Sequence, residues 1–205
     1  MATITESIGT QGFELVDNRI AEILVEEIAN QQALQSYDDD VAVFSERIIP
    51  FDKSEDVAIT VAFREADYDG FTTKDSQGNC IYFIDIFTSG VGDSEVTASE
   101  SARLKLFRYI GLIRYILSSG KFLTLGFPPG LIGGKYLKKI TLDTDYSNFG
   151  NHSNYDGSNI RFARIMFVVR VQENQLLWDG VALQGNNSKI TYENSAYGTK
   201  LIFNN

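Results

Sequence analysis

Hydrolysis by a serine or cysteine nucleophile needs a base that is half-deprotonated near neutral pH, and histidine usually supplies it. The chain has one histidine, His152, set in the polar run Asn151-His152-Ser153-Asn154. No Gly-x-Ser-x-Gly elbow accompanies it, so His152 reads as a solvated loop residue. The lone cysteine, Cys80, has no second thiol for a disulfide and no histidine cluster for zinc, and reads as a bystander beside a strand. Asp143-Thr144-Asp145 with Asp156-Gly157 resembles a calcium loop in composition but lacks the ligand at the fifth position and the bidentate glutamate at the twelfth. The Gly-Gly-Lys ending at Lys135 suggests a phosphate loop. Pro129 stands where the leading glycine belongs, and Tyr136 replaces the hydroxyl that would hold magnesium. Gly90-Val91-Gly92 is followed by Glu95 rather than a third glycine and reads as a turn. Asp67 and Asp69 could form an acid pair for glycosidic cleavage, but acids in polar loops are far more often solvated. The expectation is therefore a chain with no catalytic residues, no metal and no cofactor.

A chain of 205 residues with 43% hydrophobic content can cover a single core, burying roughly 70% of its unfolded surface. The longest apolar candidate, Ala102 to Leu117, is interrupted by Arg103, Lys105, Arg108 and Arg114 and cannot span a bilayer. The N-terminal residues lack a basic and apolar leader, which points to synthesis in a cytoplasm and makes the Asn-x-Ser sites at Asn151 and Asn186 compositional.

The net charge of −9 hides a split: residues 1–100 carry 21 Asp/Glu and 5 Lys/Arg, net −16, whereas residues 101–205 carry 6 and 13, net +7. Two readings follow. The halves pair internally, or the molecule has an acidic and a basic face that favour head-to-tail contacts, closing a ring or opening a filament. Overall acidity argues against a free-standing nucleic-acid binder.

Apolar residues from Phe13 to Leu34 recur at three- and four-residue steps, with acids between them, and predict an amphipathic helix. Val41 to Phe44 is extended, and Pro50 limits that segment to a sheet edge. Val57 to Phe63 and Ile81 to Phe87 are strands joined by a long polar connection, Arg64 to Cys80. Thr97-Ala98-Ser99-Glu100 is a capping box for a core helix over Ala98 to Ser118, ended by Gly120 and centred on Leu104, Phe107, Ile110, Ile113 and Leu117. An irregular apolar loop, Gly126 to Gly134, follows. Strands are expected at Lys138 to Leu142, Ile160 to Val171, Leu176 to Leu183 after a turn at Glu173-Asn174, Lys189 to Tyr192 and Thr199 to Phe203, with a polar loop from Asp143 to Asn159. This order predicts an α+β fold, two main helices packed on a mostly antiparallel sheet with long polar loops, as a single domain over residues 1–205 with extra strands after about residue 183.

That order, with Asn18-Arg19-Ile20, Phe83-Ile84-Asp85-Ile86-Phe87 and Arg161-Phe162-Ala163-Arg164-Ile165, resembles the tail-terminator or tail-completion proteins of tailed bacteriophages. The resemblance implies a non-enzymatic virion protein, assembled in the host cytoplasm as a homo-oligomeric ring at the head–tail junction. Tail-tube, connector or portal-associated proteins are its implied partners, DNA is only passing cargo, and no membrane is involved. The chain departs from the shortest such proteins in its length and its strands after Leu183. Candidate assembly contacts are Asp69, Phe127, Leu131, Tyr146, Tyr155, Arg161 and Arg164. The alternative is a soluble module in which the Tyr146–Tyr155 loop stacks on a carbohydrate or peptide.

Overall fold

The computed structural model describes residues 10, 12–46, 56–69, 75–92, 96–143, 160–174, 189–195 and 198–204. The chain divides into two compact units, Met1–Gln175 and Leu176–Asn205. In the first, helix α1 (Gly12–Gln35) leads into β1 (Val41–Ser45), β2 (Val57–Tyr68) and β3 (Asp75–Ser89). Helix α2 (Ala98–Ser118) and a 3-10 turn (Gly120–Phe122) then precede β4 (Ile132–Asp143) and β5 (Ile160–Asn174). In the second, β6 (Lys189–Ser195) and β7 (Gly198–Asn204) pair antiparallel. The fold class is α+β, as the element order predicts. Histidine 152, the Leu176 to Leu183 strand and most of the Asp143 to Asn159 loop lie outside the described residues.

The five strands of the first unit are ordered β1-β2-β3-β5-β4, with only β1–β2 parallel. Period-two alternation sends Val57, Ile59 and Val61 of β2, Tyr82, Ile84 and Ile86 of β3, and Ala163, Ile165, Phe167 and Val169 of β5 to one side. There they meet Val16, Ile20, Ile23, Leu24 and Ile28 of α1 and Leu106, Tyr109, Ile113, Ile116 and Leu117 of α2. Both helices cover the same face. Tyr109 meets Asp39 while Lys121 meets Glu27, so α2 runs antiparallel to α1.

Several boundaries differ from the sequence reading. β2 continues to Tyr68 and β3 begins at Asp75, so most of the polar Arg64 to Cys80 connection is strand; a bulge between Phe63 and Glu65 resets the register there. β4 starts at Ile132 rather than Lys138, and a bulge between Ile132 and Gly134 takes Gly133 and Gly134 into the strand. Glu173 and Asn174 pair with Ser76 and Asp75 instead of turning. Cys80 lies within β3, fully buried in the core.

Thr97 caps α2, its hydroxyl accepting from the Glu100 N–H at 3.3 Å. The helix ends at Ser118, as the sequence predicts, but Gly120 does not take the left-handed conformation of a glycine cap. Ser119 closes it in an extended conformation, its N–H donating to the Ile116 carbonyl, and Gly120 opens the 3-10 turn. Gly90 has a steric reason: a Cβ there would stand 2.0 Å from the Ala98 carbonyl oxygen, so the strand-to-helix passage admits no side chain.

Candidate functional site

The structure scatters the residues selected from sequence. Asp69 is exposed after β2 and accepts from Arg170 Nη2 at 3.1 Å. Arg161 and Arg164 share β5 but point to opposite sides of the sheet. Arg161 reaches Ser99 Oγ at the start of α2, leaving its buried Nε without a partner. Arg164 donates from Nε and Nη2 to the two Asp85 oxygens, each at 2.7 Å, and its guanidinium lies 4.4 Å from the Phe83 ring centroid. Hydrogen bonding to Asp85 holds the Arg164 pKa above its ordinary value. Phe127 and Leu131 are half-buried against the protein's own core, so the irregular apolar loop docks first on its own fold. Tyr146 and Tyr155 lie outside the described residues.

Lys135, the lysine of the Gly-Gly-Lys run, has a structural use. From β4 its ammonium donates to the carbonyl oxygens of Leu117 and Ser119, neutralising the negative end of α2. Partial burial lowers its pKa.

Part of the charge split between the halves is taken up by internal pairs. Lys105 bridges Asp39 at 3.3 Å and Asp56 at 3.0 Å, and Arg108 stands 3.6 Å from Asp39. Lys121 pairs with Glu27, Arg164 with Asp85 and Arg170 with Asp69. Each joins an acid from the first hundred residues to a base from the remainder. Around Asp39 the network is dense: Tyr109 donates to it at 3.0 Å, and Arg108 lies 5.0 Å from the Tyr37 ring. Burial, reinforced by Asp39, pushes the Tyr109 phenol far up, so it stays a protonated donor. Burial followed by the Lys105 hydrogen bond are the main influences on Asp56, whose pKa falls on balance because its lysine and backbone contacts outweigh desolvation.

What these pairs leave over is the outward side of the helix layer. Leu104 and Phe107, expected at the centre of the core, are 50% and 46% exposed, because the buried face of α2 is Ala102, Leu106, Tyr109, Ile113, Ile116 and Leu117. Tyr115, about two turns beyond Phe107, is 79% exposed. Arg103, Arg108 and Arg114 flank this ridge, with Arg103 5.4 Å from the Phe107 ring centroid. The signal was present in the sequence: cations spaced through 103, 108 and 114 mark the solvent side of a helix, and Leu104 and Phe107 fall between them.

On α1 the outward residues Leu15, Asn18, Glu22, Val25 and Glu26 line a groove of about 620 Å³, closed at one side by Phe127. Arg19 sets that wall. Its Nε donates to the Leu125 carbonyl at 3.0 Å and its Nη1 to Glu22 at 2.8 Å, holding a loop in which Leu125 and Gly126 adopt φ of 54° and 83°. A second groove of about 350 Å³ runs between the helices, among Glu27, Gln31, Leu112, Tyr115 and Phe122.

Among the described residues, no group of three or more His, Cys, Asp or Glu side chains could hold a metal ion, and no helix is long and apolar enough to cross a membrane. The sequence matches no protein-family model, and no curated protein matches it.

Proposed function

We propose that this chain is a non-enzymatic structural subunit of a tailed-bacteriophage virion, one copy of a ring at the head–tail junction that joins connector and tail components around the DNA channel. The observation that carries the assembly reading is the outward ridge of α2, where Leu104, Phe107 and Tyr115 stand exposed in helical register between three arginines. Scattered exposed apolar residues are ordinary, but an ordered row with a charged border has the composition of a protein contact. The charge split supports the reading only in part, since several of its acids and bases are spent on internal pairs. The phage context rests on the resemblance in element order, and DNA enters only as cargo.

The test is light scattering of the full chain from dilute to concentrated solution, at low and high salt, with negative-stain microscopy in the presence and absence of isolated phage tail tubes. A ring capping the tubes is expected, whatever smaller multimer the free chain forms. A chain that forms no ring alone and decorates no tube overturns the proposal.

A further inference from the structure

The basic ridge and the acidic groove lie on the same side of one layer. Antiparallel α1 and α2 sit side by side on a single sheet face, and the residues opposite their buried stripes therefore point the same way. On α2 that side presents Leu104 and Phe107 with Arg103 and Arg114; on α1 it presents Leu15 and Val25, 38% and 50% exposed, with Glu22 and Glu26. The complementarity is not total, because Arg19 shares Glu22 and Glu100 lies 3.9 Å from Arg103. Glu26 nevertheless lines the groove beside Leu15, Val25 and Phe127, and Arg114 is exposed on α2.

We propose that a second copy of this chain docks on the helix layer about a two-fold axis, the Leu104–Phe107 ridge of each copy seating in the Leu15–Val25–Phe127 groove of the other. Two patches that face the same way on one surface are exchanged by a two-fold axis lying between the layers, so each contact is made twice and the assembly closes at two. Charge sets the pairing. Ridge on ridge would bring arginines together and groove on groove would bring glutamates together, whereas ridge on groove sets the arginine-bordered surface against the one that carries Glu22 and Glu26. Phe107, an aromatic backed by an arginine, supplies the kind of anchor that dominates interfaces. This contact goes beyond the ring reading and does not require it: it is a state of the free chain, and the ridge must leave it before a ring can use the same surface.

The experiment is sedimentation equilibrium of the full chain and of two surface variants, R103E/R114E and E22K/E26K, each checked for unchanged circular dichroism. The wild type is expected to dimerise, and each variant to dimerise at least about tenfold more weakly, because repulsion replaces attraction at both contacts. Mixed in equal amounts, the two variants should recover a dimer, since each ridge again meets a groove of opposite sign. E26K alone serves if loss of the Glu22–Arg19 pair disturbs the loop, with a smaller weakening expected. A wild type that stays monomeric overturns the contact, as does a mixture that fails to recover a dimer. A ring-sized mass that both charge reversals leave unchanged overturns the two-fold contact while leaving the ring reading standing.

Discussion

Where α1 and α2 cover the sheet, β2, β3 and β5 contribute a continuous apolar surface in which Val61, Ile84 and Ile165 lie in one cross-strand row and are fully buried. The opposite face of the same three strands is a mosaic. Ala58, Phe87 and Phe162 form a small cluster with ring centroids of the two phenylalanines 4.8 Å apart, and the next row, Thr60, Asp85, Arg164 and Thr141, is polar. The first face is held by dispersion and exclusion of water, which reward volume; the second depends on the geometry of one bidentate pair and the rings beside it. The two should therefore respond to different kinds of substitution.

The largest effect is expected on the covered face. Ile84→Ala removes three carbons from a site closed on every side and should cost about 2 to 5 kcal/mol in chemical denaturation. Its neighbour Phe83→Ala, on the mosaic face and only partly buried, should cost about 1 to 2 kcal/mol although it deletes a larger group. Equal losses would mean that the faces are not distinct. For the polar row, Arg164→Ala or Asp85→Ala alone should cost about 1.5 to 3 kcal/mol, since each strands a partly buried charge whose partner was 2.7 Å away. The double variant should lose less than the sum of the two, and strict additivity in the cycle would show that the pair contributes nothing of its own.

The same contrast explains what could be read from the chain. Helix α1 and the centres of β2, β3 and β5 were legible because burial imposes periods of 3.6 and 2 on residue type. Residues 64–68 and 75–79 were not, since towards the end of the helix cover a strand is carried by backbone ladders to its neighbours and needs less alternation, and Asp67↔Asn79 looks like loop chemistry. Gly133-Gly134 read as a breaker because the bulge that admits glycine depends on the partner strand. The candidate surface was half legible: Arg103, Arg108 and Arg114 announce an outward face, but Leu104 and Phe107 were assigned inward by their hydrophobicity alone. Of the candidate contacts, Arg161 and Arg164 were separated by the alternation that also makes β5 a strand.

Each face holds a buried polar side chain with an oxygen that lacks a hydrogen-bond partner, and these give smaller effects. Thr60, 6% exposed on the mosaic face, has a buried hydroxyl with no hydrogen-bond partner. Thr60→Val keeps the shape and removes that desolvated oxygen, so it should stabilise the protein by about 1 kcal/mol. A loss of stability would show that the oxygen is satisfied in solution.

On the covered side the exception is Asp17, 6% exposed in α1, whose Oδ2 accepts from Ser45 Oγ at 2.6 Å while Oδ1 has no hydrogen-bond partner. Burial raises its pKa, and the Ser45 hydrogen bond offsets this only in part. The folded chain therefore holds this proton more tightly than the unfolded chain. Below the ordinary carboxylate range both states are protonated and the full contribution to stability is present. As pH rises past about 4 the unfolded state ionises first, and that contribution is lost until the folded carboxyl has ionised too. Asp17→Asn keeps an acceptor for Ser45 and cannot ionise. Its stability relative to wild type should thus rise as the pH is raised above the ordinary carboxylate value of about 4, in thermal unfolding at a series of pH values. A constant difference across that rise in pH would mean that Asp17 ionises as easily in the fold as outside it, and that β1 and α1 are joined by a charge rather than by a shared proton.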